Sequence, residues 1–86
     1  MARKETLSTR EHSYTAVFEP AEEGGYTVHF PALVGCVTEG DTLEEARERA
    51  AEALELYLES LNADGLQLPA DFRPVYERVR VQVKPA

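Results

Sequence analysis

Residues 30–46 read FPALVGCVTEGDTLEEA, and the interpretation of this stretch settles the architecture. It holds the only cysteine of the chain, Cys36, behind Gly35, and it runs into a helix start at Thr42. Three readings compete: a reactive thiol, a metal site, or the join between a sheet and a helix. Thr42-Leu43-Glu44-Glu45 has the form of a capping box. The Thr hydroxyl accepts from the backbone N–H three residues on, and the glutamate reaches back to an N–H left free at the helix start. The pattern predicts a helix over residues 42–63, with Gly65 as the left-handed residue that stops it. Upstream, Gly35 allows a turn, residues 36–39 form a short strand, and Gly40-Asp41 closes it. On this reading the stretch is architecture.

Working outward, SYTAVFE (residues 13–19) alternates, with Tyr14, Ala16 and Phe18 on one face, which predicts a strand. PAEEGG follows, and Gly24-Gly25 supplies the positive φ angles of a tight hairpin. YTVHF (residues 26–30) is the returning strand, with Tyr26, Val28 and Phe30 on one face. Pro31 lacks the N–H needed for a ladder and ends it. Beyond the helix, LQLPADFRP is a loop, and VYERVRVQV (residues 75–83) alternates again. Val75, Val79, Val81 and Val83 lie on one side, with Glu77 the exception; Tyr76, Arg78, Arg80 and Gln82 lie on the other. The order β-β-β-α-β follows. A right-handed crossover places the last strand parallel to a neighbour in a four-stranded mixed sheet, with one helix covering one face. The fold class is α+β. Residues 12–86 form the single domain expected of an 86-residue chain, and residues 1–11 a flexible N-terminal arm.

The helix is two-sided. Leu43, Ala46, Ala50, Ala53, Leu54, Tyr57, Leu58 and Leu61 fall on one broad face. Glu44, Glu48, Glu52, Glu55 and Glu59 form a narrow arc opposite. Like charges at three- or four-residue spacing cost a few tenths of a kcal/mol per pair, roughly, and only Glu45→Arg49 is a favourable pair at four-residue spacing. Helix energetics therefore do not account for the arc, which is either a solvated face or a docking face for a basic partner. The net charge is −7, and residues 19–59 carry eleven acids against two arginines, a net −9. Such a surface repels phosphate backbones and suits a basic partner.

A cysteine nucleophile needs a lowered pKa and a base. His12 and His29 are the only histidines. His29 has no orienting third group, and Cys36 lies too far ahead of the helix start to feel it. Cys36 therefore reads as a small buried apolar residue. A lone cysteine excludes an internal disulfide and a multi-thiolate zinc site. Glu19, Glu39 and Asp41, at or beyond strand ends, are the carboxylates available for Mg²⁺. No phosphate-binding glycine loop exists, and Tyr76 among Arg73, Arg78 and Arg80 is the one hint of base stacking. No cofactor, no metal, no catalytic residue and no direct nucleic-acid binding are expected. MARKETLSTREH lacks the apolar segment of a signal peptide, and no run of about 18 apolar residues exists, so the expectation is a cytoplasmic protein.

Residues 14–61 resemble the HicB family of antitoxins. The matching features are YTAVFEP, an acidic glycine-containing hairpin, the pattern Y-x-V-x-F-P-x-L-x-G-C-x-T-x-G-D-T-x-E-E-A from Tyr26 to Ala46, and then the helix. The usual loop Pro-Asp-Leu-Pro-Gly-Cys is here Pro31-Ala32-Leu33-Val34-Gly35-Cys36, without the acid and the second proline. The resemblance implies a truncated ribonuclease H-like fold. It also implies neutralisation of HicA, a small basic mRNA-cleaving toxin with a double-stranded-RNA-binding-like fold. Many relatives add a C-terminal DNA-binding domain; the expectation here is a domain without one. Ribonuclease H chemistry draws acids from the first strand, first helix and fourth strand around metal. Here Glu19 and Glu77 are the strand acids, and the reading is a retained fold without the active site.

The expected function is therefore an antitoxin-like binding module that contacts its toxin through Glu22, Glu23, His29, Leu33, Val34, Glu39 and Asp41. The alternatives are a metal-dependent nuclease using Glu19, Glu39, Asp41 and Glu77, or a solitary self-assembling ligand-binding domain. A small core and a half-covered sheet lead to the expectation of a homodimer or homotetramer.

Overall fold

Gly24 and Gly25, at φ 101° and 78°, fold the chain back on itself, and the two strands they join are β1 (Val17–Pro20) and β2 (Tyr26–His29). The computed structural model describes residues 10–86. β3 (Val37–Gly40) adds to the other edge of β2, giving a three-stranded antiparallel sheet of order β1-β2-β3. The helix α1 spans Leu43–Ala63 and lies over β3 and β2.

Register fixes the faces. Phe18, Val28 and Thr38 oppose one another across the sheet on the helix side. The rows Val17–His29–Val37 and Glu19–Thr27–Glu39 lie on the other side. The core is Val28, Phe30, Leu33, Cys36, Ala46, Ala50 and Leu58, with Tyr14, Ala16, Phe18, Tyr26, Leu54, Tyr57 and Leu61 packed around it. The expected helix stripe is thus the buried one. Small residues in it bring the helix close: a Cβ on Gly40 would sit 2.4 Å from the Ala46 nitrogen.

The helix ends are as the sequence predicts. The Thr42 hydroxyl accepts from the Glu45 N–H at 3.0 Å, and the Glu45 carboxylate accepts from the Asp41 N–H at 2.6 Å, one residue ahead of the cap. At the far end Gly65, at φ 70°, donates to the Asn62 carbonyl, and Leu66 donates to the Leu61 carbonyl, a Schellman stop. Glu45 pairs with Arg49 at 3.5 Å.

Two expectations need correction. The first strand begins at Val17, not at residue 13. In the Val17↔His29 register, Thr15 would come opposite Pro31, which offers no N–H; the Thr15 N–H instead donates to the Asp71 carboxylate at 3.0 Å. The fourth strand does not form: among the described residues the segment 75–83 pairs with nothing, and the sheet has three strands and not four. After α1 the chain crosses to the start of β1, where the Tyr14 hydroxyl donates to the Pro69 carbonyl and Asp71 binds Thr15. It then leaves the body. Val75, Val79, Val81 and Val83 are 73–82% exposed. The flexible arm expected over residues 1–11 lies mostly outside the described residues.

Candidate functional site

The residues expected to meet a partner divide between the two ends of the sheet. At one end, residues 30–36 form a tight connection held by three backbone bonds: Leu33 N–H to Phe30 O, Cys36 N–H to Leu33 O, and Phe30 N–H to Cys36 O. Leu33 is the anchor, 1% exposed beneath the loop. Its side chain is turned into the core and not offered at the surface, unlike the contact position expected for it from the sequence. Val34 beside it is 88% exposed. The Tyr57 hydroxyl donates to the Val34 carbonyl at 2.7 Å and fixes the tip from the helix side. Tyr57 was legible only as part of the apolar helix face. The signal for more was its hydroxyl, which seeks a partner when the ring is packed.

At the other end the acids gather. Glu22 and Glu23 are exposed in the β1–β2 turn, which is closed by Gly24 N–H to Ala21 O and Ala21 N–H to Gly25 O at 3.0 Å each. Gly25 lies so close to the β3 end that a Cβ there would sit 2.6 Å from the Gly40 carbonyl oxygen. Asp41 therefore stands beside this turn. Glu19 and Glu39, both exposed, flank Thr27 on the outer sheet face. His29 is half-exposed in the adjoining row, its Nδ1 4.0 Å from Glu19 Oε1, between Val17 and the 65% exposed Val37. The outer face thus carries an acidic end and a valine–histidine row, and the exposed Val34 tip lies beyond that row in the loop joining β2 to β3. Sequence reasoning missed Val37; the hairpin register was the signal that places it beside His29. The acidic arc of α1 is exposed throughout.

The chemistry of the alternatives is also placed. Cys36 is buried, its Sγ 3.8 Å from the Ala53 carbonyl, and burial pushes its pKa up, so the thiol stays protonated. Glu19 and Glu39 stand on the two outer strands, their backbones two strand spacings, about 10 Å, apart. Glu77 lies on the outlying segment. Among the described residues no group of three His, Cys, Asp or Glu side chains is placed to hold a metal. Among them also, no helix is long and apolar enough to cross a membrane.

A sequence model described as "HicB_like antitoxin of bacterial toxin-antitoxin system" matches residues 14–80. A UPF0150 protein of Synechocystis is 43% identical over 60 residues, covering 70% of this chain and 76% of its own length. Another, from Thermoplasma acidophilum, is 41% identical over 58 residues, 67% of this chain and 84% of that protein. "Antitoxin HicB 1" of Photorhabdus laumondii is 45% identical over 56 residues, which are 65% of this chain but 36% of that longer protein.

Proposed function

The chain belongs to the HicB-like antitoxin family of bacterial toxin-antitoxin systems, and from that premise we propose that it neutralises a small basic HicA-type toxin by direct protein contact. It acts as a binding protein and not as an enzyme, and it works in the cytoplasm, where an mRNA-cleaving toxin has its substrate. The observation that carries this reading is the outer face with the Val34 tip beyond it. Glu19, Glu22, Glu23, Glu39 and Asp41 are exposed at one end, and Val34 and Val37 provide apolar contact further along. Charges of one sign at the rim steer a basic partner and set its orientation, while the apolar part lowers the off-rate.

The test is capture of the tagged chain from its own cells followed by native mass spectrometry. A stoichiometric small basic protein is expected. Its affinity should fall as salt rises from about 0.05 to about 0.5 M, because exposed charges are screened over that range. The variant carrying Glu22→Lys, Glu23→Lys and Glu39→Lys should lose most of the association rate. Binding indifferent to salt and to this variant would sink the electrostatic mask.

A further inference from the structure

Residues 75–83 carry a strand's sequence pattern without a sheet. They alternate valine with polar residues, as a half-buried strand does, yet their valines face solvent and among the described residues no ladder receives them. The family match runs through residue 80, so most of this segment lies inside the domain. Meanwhile β1 is the terminal strand of the sheet, and among the described residues no strand pairs with its outer backbone edge. The helix lies mainly over β3 and β2, and Ala16 and Phe18, at the margin of the core, stay half-exposed on the helix side. An open trough runs along this edge, between residues 15–19 on one side and Arg73, Pro74 and Tyr76 at the root of the segment on the other.

We propose that residues 75–83 of one copy lie along the free edge of β1 in a second copy, reciprocally, forming a strand-exchanged homodimer. The chemistry selects this occupant. Residues 72–86 hold four bases against one acid, a net +3, whereas residues 10–71 hold three bases against fourteen acids, a net −11. Pairing of two such segments with each other would set Arg78 and Arg80 against like charges; pairing with β1 sets them beside Glu19. With the valine side turned toward the helix layer, Val79 and Val81 continue the apolar row that Phe18 begins, and the arginines fall on the outer face. The joint is built for departure. Asp71 holds the chain at Thr15, and Pro74, with no N–H to give, ends any pairing to its own β1 at that point. Glu77 on the valine side is an inward-pointing charge of the kind that keeps strand edges from pairing without limit, so the exchange closes at two copies. The inference does not depend on the toxin reading, because it concerns two copies of this chain alone.

The test uses the full chain. Sedimentation equilibrium at about 100 µM should give twice the 9.6 kDa chain mass. Isotope-filtered NOE spectroscopy on a mixture of labelled and unlabelled copies should place Val79 and Val81 methyls against the Phe18 ring of the other copy. Val79→Pro removes a ladder N–H and should weaken dimerisation roughly 100-fold while the helical circular dichroism is unchanged. Arg80→Glu, which spares the backbone, should weaken it roughly tenfold at low salt. A monomer at that concentration overturns the proposal. So does a dimer whose valine contacts all lie within one copy, or one indifferent to Val79→Pro, or an open series of larger species.

Discussion

Val34 and Val79 are equally bare, at 88% and 82% exposure, yet they belong to opposite kinds of structure. Val34 caps a loop that is fastened on three sides: by the buried Leu33 below, by the backbone bonds among residues 30–36, and by the Tyr57 hydroxyl from the helix. Val79 sits in a segment that ends its contacts with the body near Tyr76. An exposed apolar residue on a fixed support is presented to something. An exposed apolar row with no support is a structural element whose partner lies elsewhere. The distinction cannot be drawn from exposure; it is drawn from what stands behind the residue.

The most forceful way to break the comparison is to remove the support under Val34. Leu33→Ala deletes a fully buried side chain at the centre of the core, and should cost about 3 kcal/mol in urea unfolding. It should also abolish whatever binding Val34 contributes, although Val34 itself is untouched. If stability falls while toxin binding is kept, the loop is not the presenting element.

A milder change separates fastening from folding. Tyr57→Phe keeps the ring in the core cluster and removes only the donor to the Val34 carbonyl. The expected loss is about 0.5–1 kcal/mol, with faster amide exchange confined to residues 33–36. The opposite region should respond differently. Val79→Ala, measured below the dimerising concentration, should change unfolding stability by less than about 0.5 kcal/mol. A larger loss in the dilute monomer would mean that the segment packs on its own chain, and the two regions would then be alike.

Much of this was legible in the sequence, and the reasons are local. The capping box at Thr42, the stop at Gly65, the hairpin at Gly24-Gly25 and the helix stripe are all set by neighbours within a few residues, so periodicity and turn chemistry reach them. The inward placement of Leu33 and the close approach at Gly40 were not legible. Both depend on how β3 meets α1, which no short window contains. The alternation of residues 75–83 led to the expectation of a fourth strand, which the three-stranded sheet does not contain; alternation states only that a segment suits a sheet. It does not say whose. The acids at the candidate site show the same division: Glu22 and Glu23 are visible as a turn, whereas their approach to Asp41 follows from the register of three strands.

The smallest expected effect lies at the joint between the two regions, and it has a pH signature. Asp71 is held below the ordinary carboxylate range, first by the Thr15 N–H, then by the Thr15 hydroxyl, both of which donate to its charged form. A depressed folded-state pKa means that the tether contributes fully above the unfolded value of about 3.9 and is lost as pH falls through the lower folded value. The Thr15 amide shift in NMR should therefore be constant above about pH 5 and move only at more acid pH. Asp71→Asn should remove that titration while leaving the Leu33 and Tyr57 contacts, and the overall fold, as they are. Should the Thr15 amide titrate identically in the Asn variant, Asp71 does not fasten the root of the segment. The boundary between supported and unsupported chain would then lie nearer the helix, at the Tyr14 hydroxyl bond to Pro69.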